Sequence, residues 1–214
     1  MKKVILVLVP VFAFAVLAFG QSTDDFTFTV SDGQVTIEGY SGNARNVVIP
    51  ERINGLPVVA IGDSAFSENQ LTSVSIPNSV THIGDSAFSE NQLTSVSIPS
   101  DVTHIGDSAF AANQLTSVSI PSGVTHIGKS AFYGNQLTSV SIPSGVTHIG
   151  DWAFVENQLM SVSIPNSVTH IGDYAFYDNW LTGVGIPASV AYIVKDTLHS
   201  TWQSERNDTE EEAG

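Results

Sequence analysis

The sequence predicts a β-rich solenoid with short helical turns, about six to seven 22-residue coils long, closed at its N-terminal end by a β-hairpin cap. Three observations point there. Pro77, Pro99, Pro121, Pro143, Pro165 and Pro187 recur every 22 residues, and the columns Gly62 to Gly172 and Phe66 to Phe176 keep the same step. A period of roughly 20 to 29 residues marks a stacked-coil architecture. Each unit also carries an apolar set such as Leu71, Val74, Ile76, Val80, Ile83, Ala87 and Phe88. One coil cannot bury these side chains alone, whereas stacked coils bury them in a continuous core. Finally, the 214 residues include no cysteine and only 13% charged residues. Packing must then supply stability without disulfides, and the polar surface is mainly Ser, Thr, Asn and Gln.

The elements follow in chain order. Lys2 and Lys3 precede an apolar run from Val4 to Gly20, and Ala18 and Gly20 offer small residues at a cut before Gln21. Residues 1–20 are read as a signal peptide for the Sec pathway, placing the mature chain in the periplasm, at the cell surface or outside the cell. An uncleaved anchor is the alternative, but the run is at the short limit of a bilayer span. Residues 21–48 are the N-terminal β cap: Phe26 to Val30 and Gln34 to Glu38 alternate like strands, and Asp32-Gly33 is a hairpin turn signal. Residues 49–193 hold the repeats. Leu71, Val74 and Ile76 have the spacing of a leucine-rich-repeat strand, with Val74 and Ile76 inward and Ser73 and Ser75 outward. Pro77 ends that strand. Val80 and Ile83 form a second inward pair, and Gly84 allows a tight turn. Asp85 is expected to cap one helical turn, Ser86-Ala87-Phe88. Asn69, Asn91, Asn113, Asn135, Asn157 and Asn179 should form an amide ladder that ties down turn backbone. Residues 194–203, with Leu198 in phase but Val194 and Lys195 out of pattern, close the C-terminal end, with Trp202 available to the closing segment. Residues 204–214 read as an acidic disordered tail.

The run from Ser75 to Phe88, with Ile76-Pro77, Ile83-Gly84 and Ala87-Phe88, resembles the BspA-like leucine-rich repeats, also called the treponemal (TpLRR) class. The likeness spans about residues 47 to 193. The unit here is one residue shorter than in many members, and Asn stands where they have Cys. Ser79, Asp101 and Gly123 occupy the position of the ordinary leucine-rich-repeat Asn. The resemblance implies a secreted or surface protein that binds other proteins, including host matrix and cell surfaces, and no catalysis.

Charge narrows the partners. With Lys2 and Lys3 set aside, five basic side chains face 21 acidic ones. Nucleic acid and anionic lipid require Lys and Arg to release counterions, so neither is expected, nor is membrane insertion of the mature chain. Catalytic motifs are missing: there is no Gly-x-Ser-x-Gly elbow and no phosphate loop, so no catalytic residue and no cofactor is expected. His82, His104, His126, His148 and His170 form a column that could bind Zn or Cu or sense pH. An exposed position copied by duplication explains it more simply, and no metal ligand is assigned. The column of Asp63, Asp85, Asp107, Asp151 and Asp173 is attributed to capping rather than calcium, and Lys129 interrupts it.

The differences between copies carry the site. Ser64, Ser86, Ser108 and Ser130 give way to Trp152 and Tyr174; Ser67, Ser89 and Ala111 give way to Tyr133, Val155 and Tyr177; Trp180 replaces a column of Gln. Residues 22 apart are neighbours in a solenoid. Tyr133, Trp152, Val155, Tyr174, Tyr177 and Trp180 are therefore expected to form an exposed patch, the residue types of binding hot spots. The Ser field of Ser73, Ser75 and their copies offers no such anchor. The expected function is a secreted, non-catalytic protein-binding module for attachment to host matrix or receptor proteins. The alternative is a self-assembling envelope protein in which the same patch joins copies of the chain.

Overall fold

A computed structural model describes residues 22–193; the expected signal peptide, C-terminal cap and acidic tail lie outside the described residues. The structure is a β-solenoid of about seven coils. A 3-10 turn at Thr23–Asp25 leads into β1 (Phe26–Ser31) and β2 (Gln34–Tyr40), which pair antiparallel. Asp32 and Gly33 turn between them at φ 52° and 74°, the two left-handed residues that a tight hairpin needs. Then come β3 (Asn46–Val48), β4 (Arg52–Ile53) and β5 (Leu56–Ile61). β2 lies parallel to β5, so the hairpin covers the open edge of the first coil.

Each coil offers two strand positions. The second one, Thr-His-Ile-Gly, carries the continuous sheet. β7 (His82–Ile83), β8 (His104–Ile105), β9 (His126–Ile127), β11 (His148–Ile149), β13 (His170–Ile171) and β15 (Tyr192–Ile193) extend β1-β2-β5 in parallel, each His opposite the next. The first position, expected to be the leucine-rich-repeat strand, is broken. It forms β3 with β6 (Ser73–Ser75), isolated bridges from Ser97 to Ser119 and from Ser119 to Ser141, and the set β10 (Val140–Ser141), β12 (Val162–Ser163) and β14 (Val184–Gly185). Pro77 and its copies explain the difference. Proline ends the first run by removing a donor, whereas the second run keeps every N–H; Thr103 and Gly106 donate to the carbonyls of Thr81 and Ile83 at 3.1 and 2.9 Å.

The core is the stacked interior. Phe66, Phe88, Phe110, Phe132, Phe154 and Phe176 lie nearly parallel, with centroids 5.1–5.6 Å apart. Tyr40 and Phe26 of the cap continue that stack onto Phe66. Three local expectations change. The turn before each Phe is not helical: Ser64, Ser86, Ser108, Ser130, Trp152 and Tyr174 all stand at φ between 52° and 56°, and a left-handed residue cannot continue a right-handed helix. Asp63, Asp85, Asp107 and Asp151 serve the following coil rather than their own, as where Asp85 Oδ1 accepts from Asp107 N at 2.8 Å. Gly106 is required by proximity, not by its own φ, since a Cβ there would lie 2.5 Å from the Gly84 carbonyl carbon.

The asparagines do bind coils together, through backbone rather than through one another. Asn91 Oδ1 accepts from Leu71 N at 2.9 Å, and its Nδ2 donates to the carbonyls of Phe66, Phe88 and Ser89 at 2.7–3.1 Å. The pattern repeats at Asn113, Asn135, Asn157 and Asn179.

Candidate functional site

Two neighbouring columns change character in the C-terminal half. Along the first, Ser130 is followed by Trp152 and Tyr174; along the second, Tyr133 is followed by Val155 and Tyr177. Parallel stacking sets these residues side by side, and together they line one cavity of about 440 Å³. Val155 is buried and forms its floor, while Trp152 and Tyr177 are 43% and 39% exposed at its rim. Tyr174 and Tyr177 meet edge to face, with centroids 5.5 Å apart at 90°, an orientation aromatic pairs favour. Five of the six residues expected at the patch are thus brought together. Trp180, 61% exposed, is not part of this wall.

The cavity's flanks are polar and specific. The Tyr133 hydroxyl donates to Glu156 Oε1 at 2.8 Å. That bond to Glu156, then burial, then the negative charges of Glu156 and Asp178, hold the Tyr133 phenol above its ordinary value. Lys129 places Nζ 4.7 Å from the centre of the Trp152 ring, within reach of a cation–π attraction. The sequence presents Lys129 as a break in the Asp column and does not single out Glu156. Both lie 23 positions from their aromatic partners, one step off the period, and that offset is the only signal that could have found them.

The backbone beneath the aromatics is unusual. Trp152 and Tyr174 stand at φ 56° and 55°, the left-handed conformation that Ser supplies in the other coils. Bulky residues rarely adopt it, because the Cβ crowds the following carbonyl oxygen. Burial does not compensate, since Trp152 stays exposed.

The histidine column lies on the continuous sheet and contributes nothing to this cavity. Burial, then the neighbouring His126 and His170, hold the His148 imidazole below its ordinary value. The folded state then binds fewer protons than the unfolded chain between that lowered value and the ordinary one. This side chain should therefore weaken the fold as pH falls through that window and add no pH dependence above it. An NMR titration of the His148 ring, with urea midpoints at matched pH, checks both; a ring titrating at or above the ordinary imidazole value contradicts them. Among the described residues no group of three His, Cys, Asp or Glu side chains is set to hold a metal ion, and no helix is long and apolar enough to cross a membrane.

Comparison with known proteins agrees with this geometry. The model of the BspA type leucine rich repeat region matches residues 40–159 and 92–206 in six copies. A leucine-rich-repeat protein of T. pallidum is 26% identical with a TM-score of 0.59, over 71% of this chain and 81% of that one. A leucine-rich-repeat protein of Bacteroides ovatus is 26% identical with a TM-score of 0.62, over 85% of this chain and 55% of its own length. A leucine-rich cell surface protein of Faecalibacterium prausnitzii is 30% identical with a TM-score of 0.59, over 77% and 53%. The chain thus spans about half the length of the last two. No curated protein matches it.

Proposed function

We propose a binding role from one premise: the chain belongs to the BspA-type leucine-rich-repeat family. As a repeat protein-interaction module, it holds a large preformed surface rigid, so a partner meets it without an ordering cost to the solenoid. The partner is a protein, and the anchor is the cavity lined by Tyr133, Trp152, Val155, Tyr174 and Tyr177. Trp180 stands outside it as a separate exposed aromatic. The supporting observation is the pair Trp152 and Tyr174 in left-handed backbone. Trp152 is bulky, exposed and held in a disfavoured conformation, so core packing does not place it there, and half-buried Tyr174 shares that backbone conformation. A function outside the fold accounts for it.

We further propose that the chain is exported, acts at the cell surface without catalysis, and attaches to host matrix proteins. Likeness to the leucine-rich cell surface protein of Faecalibacterium prausnitzii supports that placement. The test is saturable binding of the full chain to immobilised fibronectin, laminin and collagen, beside the Trp152→Ser/Tyr174→Ser double variant. Hot-spot truncation should weaken binding by at least about 30-fold. Restoring Ser at two left-handed positions should leave thermal stability unchanged or slightly higher. A variant that binds equally well refutes the anchor; one that unfolds shows the aromatics to be structural. Light scattering addresses self-assembly: an oligomeric wild type with a monomeric variant would make the cavity a contact between copies.

A further inference from the structure

The histidine column carries an inference independent of the aromatic cavity. Its rings stack as a pair, His82 on His104 at 5.2 Å, and as a triplet. Within the triplet, His126 and His148 are 4.6 Å apart at 15°, and His148 and His170 are 4.4 Å apart at 6°. Each ring is anchored at Nδ1 by the threonine before it, Thr147 to His148 at 2.8 Å and Thr169 to His170 at 2.9 Å. The same hydroxyls donate to carbonyls of the preceding coil, Thr147 Oγ1 to Thr125 O at 3.2 Å and Thr169 Oγ1 to Thr147 O at 3.3 Å.

A hydroxyl has one proton. In the tautomer that matches donation to the carbonyl, Oγ1 accepts and Nδ1 carries the ring hydrogen. The free lone pair of each neutral imidazole then sits on Nε2, the nitrogen away from the anchoring threonine. Metal-binding histidines are prepared in the same way, one ring nitrogen donating to a protein oxygen and fixing the tautomer.

From this arrangement we propose that His148 and His170 form a two-nitrogen site for a late first-row divalent transition-metal ion. Cu²⁺ should be held most tightly, as the order of affinities for nitrogen sites dictates. Nearly parallel rings anchored alike set their Nε2 atoms about as far apart as their centroids. Two metal–nitrogen bonds of about 2.0–2.1 Å reach at most about 4.2 Å between nitrogens. In the stack the Nε2 lone pairs lie in parallel ring planes, so both rings must turn about χ1 and χ2 to aim them at one ion, and His170 is exposed and His148 half-buried. Water completes the coordination sphere, and the chain's net charge of −14 favours a cation. His82 and His104, at 5.2 Å, have further to close.

The test is a Cu²⁺ titration of the untagged full chain carrying His199→Ala, followed by calorimetry and by electron paramagnetic resonance of the nitrogen couplings. The expected result is one tight ion bound by two imidazole nitrogens. His148→Ala removes the middle ring of the triplet and should weaken that site at least about tenfold; Thr147→Val, which takes away the Nδ1 anchor, should weaken it less. His82→Ala should leave it unchanged. An unaltered thermal midpoint confirms that all three variants fold. Binding by His148→Ala equal to wild type, or an unchanged nitrogen count in that variant, overturns the proposal.

Discussion

Replacing Phe110 by alanine should destabilise the solenoid by about 3–5 kcal/mol, the usual cost of emptying a buried phenylalanine site. Phe110 is fully buried and lies between Phe88 at 5.4 Å and Phe132 at 5.6 Å. Its backbone is tied as well, with Phe110 N donating to Ala131 O at 2.9 Å. The coils above and below are pinned by their own hydrogen bonds and cannot collapse into the space, which puts the loss toward the upper end of the range. Position matters in a one-dimensional array. Stability there is a sum of repeat and interface terms, and removing a central ring weakens two interfaces at once. Urea unfolding should show a lower midpoint and a shallower slope as the two halves uncouple. A loss below about 1 kcal/mol would mean that the phenylalanine column is not what joins the coils.

The second large effect is expected at Asn113. Its Oδ1 accepts from Leu93 N at 3.0 Å, and its Nδ2 donates to the carbonyls of Phe88, Phe110 and Ala111 at 2.9, 3.3 and 3.2 Å. Asn113 is itself buried. Alanine leaves the Leu93 N–H without its amide acceptor, while the carbonyls of Phe88, Phe110 and Ala111 keep Asn91 Nδ2, Asn135 Nδ2 and Glu90 N as donors. With about 1–3 kcal/mol for the buried N–H left unpaired and about 1 kcal/mol for the bonds lost to the carbonyls, the total cost should be about 2–4 kcal/mol. Asn113→Asp separates the two roles. The carboxylate keeps the acceptor but loses both N–H donors, and it buries a charge among carbonyl oxygens. It should be worse than alanine at neutral pH and recover in acid, where a protonated carboxyl can donate once. Urea midpoints at two pH values for both variants check this; an aspartate variant insensitive to pH would show that the site is open to water.

Much of this was legible beforehand, and the reason is specific. A strict 22-residue step places like residues on neighbouring coils, so the phenylalanine stack and the meeting of Trp152 with Tyr174 followed from counting, while the capping hairpin followed from strand alternation around Asp32-Gly33. Trp180 shows the limit of that counting. It shares the period with the other aromatics, but it follows Asn179 and stands outside the cavity wall. Lys129 and Glu156 show the opposite case: their aromatic partners sit one residue off the period, where column reasoning does not look.

By itself, then, the sequence determined the architecture, the core columns, and the concentration of aromatic residues in the C-terminal half. Repetition alone dictates which residues are neighbours. Only the tertiary structure decided which strand position carries the continuous sheet, that Asp63, Asp85, Asp107 and Asp151 bond the next coil, that each Asn bonds backbone in two coils, and that Trp152 and Tyr174 stand in left-handed backbone. It also decided that threonine hydroxyls hold the histidine rings at Nδ1. The physical reason is that a period sets distances along the stack but not directions within a coil. Where a hydrogen bond points depends on the φ and ψ of each turn, and those are settled only when one coil packs on the next.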